Sequence, residues 1–152
     1  MKSSFFLPLF VALSFTVSCS RHPGISGRWS GSHQIDSSTD GPTSFNSRSA
    51  KTYCKLVESG GQLTGSITQF GTDAQGFIET EKLQGTISGQ LVEWTSGKSG
   101  QTGQKNWQYQ TTFHGTLKGN IISGRFSQAW DDDGKKTTYE GPVELTKQPD
   151  KN

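Results

Sequence analysis

The sequence predicts an all-β protein, a single eight-stranded antiparallel up-and-down β-barrel with no substantial helix once an N-terminal leader is set aside. Three observations lead there. The first is a pattern, large-x-Gly-x-large, that recurs at Trp29-Gly31-His33, Leu63-Gly65-Ile67, Leu83-Gly85-Ile87, Phe113-Gly115-Leu117, Ile122-Gly124-Phe126 and Tyr139-Gly141-Val143. Residues two apart share a strand face, so each glycine deletes a side chain from the buried face. The strand can then coil sharply while its large neighbours cover the gap. Small closed barrels repeat that device around their circumference. The second observation is that about eight segments alternate in polarity, and none beyond the leader has helical periodicity. The third is tight-turn chemistry between segments, at Ser59-Gly60-Gly61, Ser88-Gly89-Gln90, Lys118-Gly119-Asn120 and Asp133-Gly134.

Taken in order, residues 1–18 read as an export signal. Lys2 precedes an apolar run from Phe5 to Phe15, broken by Pro8 and Ser14, and small residues follow before Cys19. That run is too short to span a bilayer comfortably. Residues 19–26 hold Cys19 and a polar tether with one Pro and one Gly. Strands are expected near 27–35, 50–58, 62–70, 77–88, 90–95, 106–117, 120–130 and 137–146, within one domain over 27–147, and 148–152 form a tail. The sixth strand is the clearest. Trp107, Tyr109, Thr111, Phe113, Gly115 and Leu117 share one face, and Gln108, Gln110, Thr112, His114, Thr116 and Lys118 the other. A one-residue slip would put all the rings in water, so the register is specified. Residues 36–49 and 96–105, rich in Ser, Thr, Gly, Gln and Lys, are expected as surface loops. Up-and-down order brings both to the same end, the barrel mouth.

Gly27-Arg28-Trp29 resembles the Gly-x-Trp of the first strand in the lipocalin and avidin group of small barrels. The resemblance implies that Trp29 closes one end. A chain that ends without a helix after the barrel resembles the avidin-like version more than lipocalins. Trp94, Trp107 and Trp130 fall on expected strands five, six and seven, broadly where avidins place ring walls around biotin. Residues 36–49 do not reproduce the polar contacts avidins make to biotin, so biotin is a test ligand and not a prediction. Separately, Thr16-Val17-Ser18-Cys19 resembles the lipobox of bacterial lipoproteins, with Thr16 where Leu is usual. This implies cleavage before Cys19, an acyl chain such as palmitate on that cysteine, and a membrane anchor at the cell envelope, on the outer membrane or periplasmic face. Plain secretion and a Cys19 to Cys54 disulfide are the competing fates.

Fifteen Lys and Arg against thirteen Asp and Glu leave a net charge of +2. That balance argues against nucleic acid or anionic lipid as the main partner. No catalytic motif is present, so an enzyme is not expected, and no cofactor is implied. The candidate ligand-binding residues are Trp107, Tyr109 and Trp130, whose shared inner face could wall a ligand, together with Trp94 and His33. His33 lies on the Trp29 face and could supply a polar contact or titrate near neutral pH. The competing account is that the rings simply fill a small barrel. His114 has outward parity and His22 lies in the tether. With no second ligand at metal spacing, no metal site is expected. Asp131-Asp132-Asp133-Gly134 reads as a charged hairpin turn, since the calcium-loop pattern would need an acid where Pro142 stands. Whether Glu93 or Trp94 faces inward is open, and Cys54 is expected buried and inert. The expected function is that of an exported, lipid-anchored envelope barrel binding a small apolar or amphiphilic ligand in its mouth. The alternative is a protein-recognition module of envelope-inhibitor or adhesion type, with a packed barrel and binding loops.

Overall fold

A computed structural model describes residues 24–40, 49–70 and 78–149. The signal, Cys19 and most of the tether lie outside the described residues. The strands are β1 (Gly27–Gln34), β2 (Ser37–Thr39), β3 (Ser49–Ser59), β4 (Gln62–Phe70), β5 (Ile78–Ser88), β6 (Leu91–Thr102), β7 (Lys105–Lys118), β8 (Ile121–Asp132) and β9 (Lys135–Lys147). Consecutive strands pair antiparallel from β3 to β9, and β1 pairs with both β3 and β9, which closes the sheet. The short β2 pairs with β9 further along, at Ser38 opposite Tyr139, where β1 has His33 opposite Val143. β1 and β2 are therefore one barrel strand interrupted at Ile35–Asp36, and the architecture is a closed eight-stranded antiparallel barrel, consistent with the lipocalin/avidin-like fold. At the interruption the Asp36 N–H bonds Glu140 O at 2.9 Å, and the Asp36 carboxylate pairs with Arg125 at 2.9 Å. The guanidinium holds that carboxyl below the usual range.

The glycine pattern does what its spacing predicts. At all six positions an added Cβ would come nearer than 3.0 Å to existing atoms, a separation real side chains do not adopt. At Gly31, Gly65, Gly85, Gly124 and Gly141 the first obstacle is a backbone carbonyl of a neighbouring strand. Gly115 and Gly124 face each other on β7 and β8, and the Phe113 ring lies across both. The missing side chains thus admit both sharp coiling and a ring.

The core is layered. At the end holding the turns at residues 60–61, 89–90 and 119–120, Ile25, Trp29, Leu56, Leu63, Leu83, Val92, Ile122 and Leu145 are almost wholly buried. Trp29 Nε1 donates to Ile25 O at 2.8 Å, so the segment before β1 folds under the barrel and the tryptophan closes that end. Lys147 lies 5.9 Å from the Trp29 ring centroid and donates to Gly24 O. Above this layer Trp94 stacks on Phe113 with centroids 3.9 Å apart, and His33 meets Phe126 edge-on at 5.2 Å.

Two expectations are overturned. Of the expected loop over 36–49, residues 37–39 form β2 and residues 41–48 lie outside the described residues. Residues 96–105 are not a loop: β6 runs to Thr102, pairs with β7 along its length, and turns through Gly103–Gln104. Its polar, glycine-rich composition reads as loop. Gly97 and Gly100, however, serve the pairing, because an added Cβ at Gly100 would collide with the Trp107 ring opposite it. An aromatic residue covering a cross-strand glycine stabilises a sheet. The Asp133-Gly134 turn is as expected, with φ of 53° and 88°, and Asp131 accepts the Gly134 N–H at 2.8 Å.

Candidate functional site

Strand alternation settles the open parity of Glu93 and Trp94. On β6, Trp94 points inward and is buried, while Glu93 faces out and bonds His114 Nδ1 at 3.0 Å. On β3, Thr52, Cys54 and Leu56 face inward. Cys54 is a free thiol whose burial pushes its pKa up to about 12, so the nucleophilic thiolate is suppressed.

The five ligand-binding candidates divide into two groups. Trp107, Tyr109 and Trp130 come together as a ring ladder on the adjacent strands β7 and β8. Tyr109 and Trp130 are cross-strand partners whose rings stack with centroids 4.4 Å apart, and Trp107 lies 6.3 Å from each. Hydrogen bonds hold the ladder. Trp130 Nε1 donates to Gln128 Oε1 at 3.0 Å, Gln128 Nε2 donates to Thr111 Oγ1 at 2.9 Å, and Tyr109 OH donates to Glu81 Oε1 at 2.8 Å. Tyr109 is buried, and Trp107 and Trp130 are half-buried. The ladder therefore sits between the core and the mouth end, where the turns at residues 103–104 and 133–134 lie.

Trp94 and His33 lie in the plug beneath. They border, with Thr52, Ile67, Thr111 and Phe113, a void of about 10 Å³. A void that small is at the limit of holding one water, so this layer is packed. His33 Nδ1 and Thr52 Oγ1 are 2.8 Å apart, and burial lowers the histidine pKa to about 4, which keeps the ring neutral at physiological pH.

Three contributors were not singled out from sequence: Glu81, Ser96 and Gln128. Glu81 is 4% exposed and Ser96 6%, and both Glu81 Oε2 and Ser96 Oγ lack a hydrogen-bond partner among the described residues. The signal that finds Glu81 is alternation, since it stands two residues before Leu83 on the same inner face. Outside the barrel, an open concavity of about 700 Å³ follows the coiled strands β5 to β9, bounded largely by outward residues such as Gln84, Gln108, Gln110 and Thr138. Among the described residues no group of three His, Cys, Asp or Glu could hold a metal ion. No helix among them is long and apolar enough to cross a membrane. In comparison with known proteins, the sequence matches no family model and no curated protein.

Proposed function

We propose that the chain is exported, acylated on Cys19 and held at a bacterial envelope, and that its role is binding: a small amphiphilic molecule seats in the barrel mouth against Trp107, Tyr109 and Trp130. The observation that carries this reading is the ring ladder, braced by three hydrogen bonds, with Tyr109 buried and Trp107 and Trp130 left half-buried on the mouth side of a packed plug. A braced aromatic surface offers contact area at little entropic cost, whereas rings that only fill a core have no need to stay half-buried. The packed layer at Trp94 and Phe113 sets the depth, so the ligand occupies the upper barrel alone.

Trp130→Ala should weaken ligand capture by about tenfold or more while lowering Tm by only a few degrees. Native mass spectrometry of protein purified gently from its own envelope extract, with melting curves in parallel, measures both. A variant that loses stability and retains its cargo would assign the ladder to the core. For the anchor, intact mass should show residues 1–18 removed and an acyl addition at Cys19 that Cys19→Ser abolishes. An unmodified mature chain would mean ordinary secretion.

A second reading, recognition of another protein, is favoured by the outer concavity, whose Gln and Thr side chains suit polar, wet contacts. Replacing Gln108 and Gln110 together with lysine should then abolish partner capture and leave the mouth unaffected.

A further inference from the structure

The inner wall below the ladder carries more acceptor capacity than the protein uses. Tyr109 OH satisfies one Glu81 oxygen at 2.8 Å. The other oxygen is buried with no hydrogen-bond partner among the described residues, and so is the hydroxyl of Ser96. The two are neighbours: Ser96 pairs with Leu83, and Glu81 is the next inward residue along β5 from Leu83. Past that pair β5 and β6 no longer hydrogen-bond to each other, while β6 continues alongside β7. Tyr109 on β7 reaches past β6 to donate to Glu81 on β5, and its ring stacks on Trp130. One side chain thus joins the aromatic wall to the orphaned acceptors.

A buried carboxylate with a free oxygen is costly unless something donates to it. Bracing Tyr109 does not explain the cost, because a neutral acceptor such as Gln would receive the phenol equally well. We propose that the mouth takes a cationic aromatic molecule: a flat apolar body lies against Tyr109 and Trp130, and a protonated nitrogen bearing at least two N–H groups donates to Glu81 Oε2 and Ser96 Oγ. An amidinium, a guanidinium or a primary ammonium meets that description. The charge-assisted bond to Glu81 supplies discrimination, and the ring faces favour a cation beside them. The assignment rests on the barrel-mouth reading above and names its ligand class.

The test is calorimetric titration of the full chain, purified in mild detergent, with three probes of one shape: benzamidine, benzamide and benzoate. Benzamidine should bind about tenfold tighter than benzamide, and benzoate should not bind. Glu81→Gln should bring benzamidine and benzamide within about twofold of each other while raising the Tm of the empty protein by a few degrees, since it removes a buried carboxylate whose second oxygen has no hydrogen-bond partner among the described residues. The wild-type comparison stands even if that variant folds poorly, and Ser96→Ala, which should weaken benzamidine more than benzamide, gives a second one. Equal binding of benzamide and benzamidine, or a preference that survives Glu81→Gln, would overturn the cation assignment and leave the mouth as a binding site. Absence of binding by any of the three probes, with no quenching of tryptophan fluorescence, would overturn both.

Discussion

Gly141→Ala should unfold the barrel or cost it about 3 kcal/mol or more, a large share of the ~5–15 kcal/mol that stabilises an ordinary domain. Gly141 faces inward on β9 where the first barrel strand bends from β1 into β2. A Cβ there would collide with the carbonyl of Gln34 and crowd the Asp36 N–H, both main-chain groups. A flexible side chain can swing away from such an intruder, but a hydrogen-bonded strand cannot. Relief would require parting β1 from β9, the pairing that closes the sheet. Gly65→Ala should behave alike, because its Cβ would meet the Lys55 carbonyl. Gly24→Ala is the control: nothing lies within 4 Å of that Cβ, so its effect should stay within ~0.5 kcal/mol. Urea titrations followed by tryptophan fluorescence give the three values. A Gly141→Ala protein with an unchanged midpoint would show that coiling does not depend on these glycines.

His33 should make the folded state acid-sensitive in a defined window. Its ordinary pKa is 6.5, and burial takes it to about 4 in the folded protein. Above pH 6.5 the ring is neutral in both states and contributes nothing to the pH dependence. As pH falls from 6.5 to 4 the unfolded chain takes up a proton that the folded chain refuses, so stability falls by up to about 1.4 kcal/mol per pH unit and about 3 kcal/mol in all. Below pH 4 both states are protonated and the loss ceases to grow. His33→Gln can keep a hydrogen bond to Thr52 and does not titrate. Its stability relative to wild type should therefore improve steadily between pH 6.5 and 4. All other titrating groups are common to both proteins and cancel in the difference. Parallel stability curves for the two proteins over that range would rule out His33 as the source.

The barrel itself was readable because its determinants are local and periodic. Each same-face glycine between large residues marks a coiled strand, and all six prove to sit where a side chain cannot fit. The alternation of β7 fixes its register in the same way. The extension of β6 was not readable, because Ser96 to Thr102 has loop composition and is strand only through its partner. Pairing with β7 and two glycines, Gly97 against the Tyr109 carbonyl and Gly100 against the Trp107 ring, decide the matter, and neither is a property of the segment alone. Trp107, Tyr109 and Trp130 were legible as a group by parity. Glu81 was not, since its significance comes from Tyr109 reaching it past β6. A lone inward carboxylate in a strand carries no motif.

Both described chain ends emerge at the plugged end: Gln148 N–H bonds Arg28 O, and Lys147 reaches Gly24. An acyl group on Cys19, as proposed, would be joined to Gly24 by at most about 18 Å of chain. The plug would then rest toward the lipid with the ring-lined mouth turned outward. Such a protein would sample solutes from the aqueous compartment and not lipids from the leaflet that holds it, an upright cup whose foot is the anchor.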